Sequence, residues 1–307
     1  MTKRKLSFAF AATLAALVMS CATVPAPRES APSVLPAQFV NSGAFVQGRI
    51  GDAAPAWFLL DTGASLSALD EKVAKSLALK PAGGTSVQGS AGTIEASAVK
   101  VPRLCLGDAC ASDMQPTVYD LSGSLAPAGQ TVAGILGYDM MEHFAVLFDP
   151  AGSRVVLAKE AAALADLSGA EIIPFTLDNN IPLIRARIDG TEVPLRLDTG
   201  ASLDPGDETY VNVTEGVYEQ LKKADPSLVP AKYFTASGAG GTIRIPVVPA
   251  HSFTLGARTF EKPILIVQPR TGYFAEPDAV GFLGAYALKS SRGFIVDYPR
   301  KRLILLR

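Results

Sequence analysis

Residues 45–65, FVQGRIGDAAPAWFLLDTGAS, alternate between apolar and polar, break at Gly51-Asp52, and end in an apolar run before Asp61. Period-two alternation on either side of a glycine-bearing break predicts two antiparallel strands joined by a turn. Residues 183–202, LIRARIDGTEVPLRLDTGAS, repeat the pattern and close on the same six letters, LDTGAS. A chance hexapeptide repeat in a chain of this length is roughly a one-in-a-thousand event, so an internal duplication is the first thing to test.

The two halves match in the same order along their length. DEKVAKSLAL (70–79) lies over TEGVYEQLKK (214–223), and each predicts a short helix. SAGTIEASAV (90–99) lies over AGGTIRIPVV (239–248), a glycine-rich tip followed by an alternating strand. LCLGDACAS (104–112) matches FTLGARTFE (253–261) as a hairpin, and AGILGYDMM (133–141) matches VGFLGAYAL (280–288), two apolar residues bracketed by glycines. AVLFDPAGSRVVLA (145–158) and GFIVDYPRKRLILL (293–306) predict closing hairpins. Short strands with turn residues at regular spacing argue for all-β lobes with short helices, built by duplication. The predicted organisation is a lobe over residues 38–160, a linker over 161–171 and a second lobe over 172–307.

The amino end has a different pattern. Lys3, Arg4 and Lys5 precede an apolar stretch, Leu6 to Met19, too short for a comfortable membrane span. Residues 1–20 are therefore read as a secretory signal, outside the fold. VMSC (18–21) resembles the bacterial lipobox, which would make Cys21 the lipid-modified amino terminus; a plain signal peptide with a chance cysteine is the alternative. Ala22, rather than Asp, after the cysteine favours the outer membrane by the same resemblance, and a periplasmic location follows. Residues 21–37 carry four prolines after Cys21 and read as an extended tether, able to reach roughly 50 Å. Losing residues 1–20 removes three positive and no negative charges, taking the net charge from −1 to −4. That balance gives no reason to expect nucleic acid or anionic lipid as a partner, so membrane attachment is expected through the anchor only. Cys105 and Cys110 flank Gly-Asp in a predicted hairpin and belong to an oxidising compartment, which points to a local disulfide, with two free thiols as the alternative. Two cysteines, with only His143 and His251 to help, make no four-ligand zinc site; neither metal nor cofactor is expected.

Apolar residues lead into both Asp61 and Asp198, so each carboxylate arrives in largely buried surroundings. A lone buried carboxylate protonates or finds a partner. The Thr-Gly that follows makes a tight turn with backbone N–H groups free to bond the carboxylate. If the two turns meet about a pseudo-two-fold axis, the carboxyls share one proton, hold a water, and act on it as base and acid.

On DTGAS twice, GILG and GFLG, and the glycine-rich tips between them, the chain resembles the retropepsin-like and pepsin-like aspartic proteases over nearly all of residues 38–307. The resemblance implies a single-chain, two-lobe endopeptidase that needs no second subunit and acts on peptides or proteins. It makes Asp61 and Asp198 the catalytic pair, with Thr62 and Thr199 cross-bracing the turns. Gly63 and Gly200 keep the carboxyls close to coplanar, and Ser65 and Ser202 support the loops. Ser90, Ala91, Gly92 and Thr93, with Gly240, Gly241 and Thr242, become the tips of two flaps over a peptide cleft.

The chain also departs from that pattern. About seven extra residues follow Asp198, bringing Asp204, Asp207 and Glu208, and Arg196 stands where the first copy has Leu59. Ala64 and Ala201 occupy positions where pepsin-type enzymes carry a hydroxyl, which predicts a mildly acidic to near-neutral working range. Other motifs carry less. SGAGG (237–241) lacks the Lys-Ser/Thr and the helix of a phosphate loop, and Ser65 or Ser202 as a nucleophile lacks a nearby base. The remaining alternative is an envelope lipoprotein that binds a peptide or protein on the same fold without cutting it.

Overall fold

Strand Ala56–Leu60 delivers Asp61, and strand Thr191–Asp198 delivers its counterpart. In the second, Val193, Leu195 and Leu197 are buried, as the period-two pattern requires. Each of these strands is flanked on one side by its antiparallel hairpin partner, Gly43–Ile50 or Ile181–Ile188. On the other side lies the apolar strand bracketed by glycines, Val132–Leu136 or Gly281–Gly284, and it runs parallel. The computed structural model that describes these elements covers residues 31–89, 92–201, 208–238, 241–288 and 291–307.

Most described residues outside the turns lie in two extended sheets, one of fourteen strands and one of ten. The fold is therefore all-β, with two pepsin-like lobes and short helices. The helices form where their caps place them: Asp70 accepts from Lys72 N–H ahead of Glu71–Ser76, and Thr214 accepts from Val217 N–H ahead of Glu215–Ala224. Among the described residues no helix is long and apolar enough to cross a membrane.

The closing hairpins of the two copies pair with each other. Val146 lies opposite Val296 and Phe148 opposite Phe294, whose rings stack at 4.8 Å. This shared sheet joins the copies through backbone hydrogen bonds. Ala145, Leu147, Val156, Ile295 and Ile304 form a second small core against Ala161 on its far face.

The boundary of the tether needs correction. Residues 33–37, expected as extended tether, belong to strand Ser33–Val40. Ser33–Pro36 pair with Arg154–Leu157, and the strand then turns to Gly43–Val46. Ser33, Leu35 and Ala37 are buried while Val34 and Pro36 face outward, so the prolines mask a period-two pattern. Pro36 lies on the exposed face where the pairing of the strand passes from Arg154–Leu157 to Gly43–Val46. The predicted hairpin at Cys105 and Cys110 is present; the two residues lie opposite each other and form a disulfide with Cα atoms 4.1 Å apart. Cys21, residues 1–20 and the tether up to Ser30 lie outside the described residues.

Candidate functional site

The two Asp-Thr-Gly turns lie against each other and are tied by four reciprocal hydrogen bonds. The Thr62 hydroxyl donates to the Leu197 carbonyl at 2.7 Å and accepts from Thr199 N–H at 3.0 Å. The Thr199 hydroxyl donates to the Leu60 carbonyl at 2.9 Å and accepts from Thr62 N–H at 3.0 Å. Both threonines are fully buried, so each hydroxyl satisfies a carbonyl and an amide that water does not reach. The cross-brace expected of Thr62 and Thr199 corresponds to this arrangement.

The same contact brings the Asp61 and Asp198 carboxyls face to face, each against the glycine of the other turn. Asp61 Oδ1 accepts from Gly63 N–H at 2.7 Å and, across the junction, from Gly200 N–H at 3.2 Å. Asp198 Oδ1 accepts from Ala201 N–H at 2.8 Å. Glycine is required at both third positions: a Cβ on Gly63 would lie 2.5 Å from the Asp198 carboxyl carbon, and one on Gly200 would run into the Asp61 carboxyl. Burial pushes both carboxyls above the usual carboxylate range, and Asp198 goes further because it faces the Asp61 charge. The amides of Gly63 and Gly200, and Asp198 itself, hold Asp61 lower. Of the two, Asp198 is the one that holds a proton more readily.

A cleft of about 690 Å³ opens above the pair. The first copy contributes Ser65, Leu66, Tyr119 and Ile135; the second contributes Arg196, Tyr273, Phe274 and Phe282. The hairpin of Lys80–Gln88 and Thr93–Leu106 reaches over it, with Thr85–Gly89 lining the cleft. The end of this hairpin meets the second copy. Gly89 O accepts from Tyr273 N–H at 3.0 Å, and Gln88 Nε2 donates to Glu276 at 3.0 Å.

Several expected residues fall elsewhere. Ser90, Ala91, Ser202 and Gly240 lie outside the described residues, as do Asp204 and Asp207. Gly92 and Thr93, at the hairpin end, and Gly241 and Thr242, in the second copy, are not among the described residues lining the cleft. The described lining from this hairpin is Thr85–Gly89, while Gly89 and Gly92 lie against Tyr273 and Gly272 of the second copy. Ser65 lines the cleft, and the loop support expected of it comes from Ser67 instead. The fully buried Ser67 hydroxyl donates to Asp139 Oδ1 at 2.6 Å and accepts from Gly137 N–H at 3.0 Å. Burial raises the Asp139 carboxyl in spite of these bonds. In the second copy Asn212 takes this part, donating to Tyr286 Oη at 2.7 Å and accepting from Gln268 at 2.8 Å. Glu208, from the insertion, accepts from Tyr210 Oη.

Arg196 also acquires a setting the sequence did not disclose. Its Nε and Nη2 both reach Asp178 Oδ2, at 2.8 and 2.7 Å, and its guanidinium lies 4.2 Å over the Tyr273 ring. Among the described residues no cluster of His, Cys, Asp and Glu is arranged to hold a metal ion.

Residues 46–140 match the model of a family described as aspartyl protease. That segment runs from the first strand pair through Asp61, the hairpin over the cleft and GILG. No match was found among curated protein sequences. The crystal structure of aspartic proteinase from Irpex lacteus superposes with a TM-score of 0.51 at 14% identity, covering 90% of this chain and 97% of that one. At that identity the likeness speaks for the fold. Residues 46–140 are thus similar to the aspartyl protease family, and the chain shares the fold of an aspartic proteinase.

Proposed function

We propose that the protein is an aspartic endopeptidase in which Asp61 and Asp198 activate a water against a peptide carbonyl. The observation that carries the reading is the pairing of two buried carboxyls, one from each copy, on a threonine-braced floor beneath an open cleft. The charged Asp61 takes a proton from the water as its oxygen attacks the carbonyl carbon. Asp198 gives its proton to the carbonyl oxygen, so the tetrahedral intermediate is a neutral gem-diol. The proton now on Asp61 then passes to the departing nitrogen while a diol hydroxyl returns its proton to Asp198. The products are an acid and an amine, and the pair is restored. Holding Asp198 protonated and Asp61 charged is the condition for this sequence, and the facing of the two carboxyls, which raises Asp198 and lowers Asp61, favours it.

The reading includes residues 38–160 and 172–307 acting as the two lobes of a monomer. It also includes lipid attachment at Cys21 on the periplasmic side of a bacterial outer membrane. Mass spectrometry of membrane-extracted protein is expected to find acyl groups on Cys21; a water-soluble form with unmodified Cys21 would rule out the anchor and leave the chemistry standing.

The test of activity is a peptide library exposed to wild type and to Asp61→Asn, with a statine-type transition-state mimic as inhibitor. Cleavage by wild type alone, blocked by the mimic, is expected. Binding without cleavage, with no preference for the mimic over a plain peptide, would instead mark a peptide-binding lipoprotein.

A further inference from the structure

We propose, resting on the peptidase reading, that Arg196 makes the second-copy side of the cleft a polar subsite. That subsite accepts a substrate residue with a carboxamide side chain, glutamine or asparagine, while the first-copy side accepts an apolar residue. Residues two apart on a strand share a face and lie roughly 7 Å apart. Arg196 therefore sits on the face of its strand that carries Asp198, between the buried Leu195 and Leu197. A substrate side chain flanking the scissile bond lies within that reach.

The two copies differ at this point. Leu59, two before Asp61, packs in an apolar cluster with Phe45 and Val132, and its parallel neighbour Ile135 lines the cleft. Arg196 holds the related position, beside Phe282 in the parallel register. It is no stray surface charge: its side chain is 12% exposed, with one edge on Asp178 and one face on Tyr273. These contacts fix the guanidinium and occupy Nε and one hydrogen of Nη2. Nη1 has no partner among the described residues, so its edge offers donors to whatever enters the cleft. Leaving such donors without an acceptor when substrate expels water is costly, which works against leucine or phenylalanine here.

The neighbouring charges decide between the two kinds of acceptor. Asp178 already neutralises Arg196, and Glu276 and Asp278 line the same cleft, both exposed. A substrate carboxylate would meet net negative charge, whereas an amide oxygen accepts from Nη1 and its NH₂ donates to a carboxylate. The ring of Phe282 is placed for the aliphatic stem.

The experiment is a panel of labelled peptides in which each residue flanking the cleaved bond is varied among Gln, Asn, Glu, Leu, Phe and Lys. It is run with wild type, Arg196→Leu and Asp178→Asn, after thermal melts show each to be folded. Wild type is expected to favour Gln or Asn over Leu by about tenfold or more on one side of the bond, with an apolar preference on the other. Arg196→Leu, which copies Leu59, is expected to make both sides apolar. Asp178→Asn, which leaves the guanidinium charge uncompensated, is expected to move the preference toward Glu. Leu or Phe preferred on both sides by wild type, Glu preferred above Gln by wild type, or a profile unchanged in Arg196→Leu would overturn the proposal. Binding of the same peptides to Asp61→Asn separates this from the peptidase reading. If wild type cuts nothing, the peptidase reading fails, while tighter binding of Gln than Leu peptides still supports the subsite and equal binding overturns it.

Discussion

Thr62→Val removes one hydroxyl from the junction of the two copies while keeping nearly the same shape. The hydroxyl serves two groups, the Leu197 carbonyl at 2.7 Å and the Thr199 N–H at 3.0 Å. Both belong to fully buried residues, so neither group gains water in exchange. A buried polar group left unpaired costs about 1–3 kcal/mol, so losing both partners amounts to about 2–6 kcal/mol. That is a large share of the roughly 5–15 kcal/mol by which a folded domain is stable. Urea denaturation with the disulfide intact reads the change as a lower midpoint at unchanged slope. Thr93→Val, at an exposed position, is the control and is expected to stay within about 0.5 kcal/mol. Thr199→Val opens the same joint from the other side through Leu60 and Thr62. The double variant should therefore lose less than the two single losses combined. A Thr62→Val change no larger than the control's would refute the view that these threonines tie the copies together.

Two further outcomes follow from the carboxyls. Because burial raises the folded pKa of Asp198, its contribution to stability is complete below the unfolded value near pH 3.9 and is lost as pH rises through the raised one. Asp198→Asn should match wild type in melting temperature at low pH and become progressively more stable than wild type above about pH 4. A constant or shrinking difference would contradict the burial argument. Ala64→Ser with Ala201→Thr adds hydroxyls beside carboxyls whose bonds among the described residues come from backbone amides, and should move the acid limb of kcat/KM to lower pH; an unmoved limb would show that these alanines do not set the range.

The sequence disclosed what lies close along the chain or recurs between the copies. Apolar alternation into Asp61 and Asp198, the Asp70 and Thr214 caps, and the Cys105–Cys110 hairpin each depend on a few neighbouring residues. The start of strand Ser33–Val40 was hidden because its outward positions include a proline and the partners of Ser33–Pro36 lie more than a hundred residues away. The pairing of Val146 with Val296 was hidden for a related reason: a hairpin's pattern shows its own turn but not what its outer edge meets. Ser67 and Asp139 are seventy-two residues apart, and serine and aspartate near a turn have many ordinary uses. Arg196 was visible as a break in the repeat. The groups that give it meaning, Asp178 and Tyr273, lie on either side of it along the chain, outside the segments matched between the copies. The repeat therefore revealed the shared chemistry, and the differences between the copies needed three dimensions.

Steady-state cleavage of one peptide substrate by Asp61→Asn, Asp198→Asn and the double variant tests most directly whether the two carboxyls act as a unit. The mechanism needs a charged and a protonated carboxyl at the same moment, so neither has a partial role alone. Each single variant is expected to lose about a thousandfold or more in kcat, and the double variant to fall within about tenfold of either. A single variant that keeps substantial activity, or a double variant whose loss is the product of the two, would contradict it.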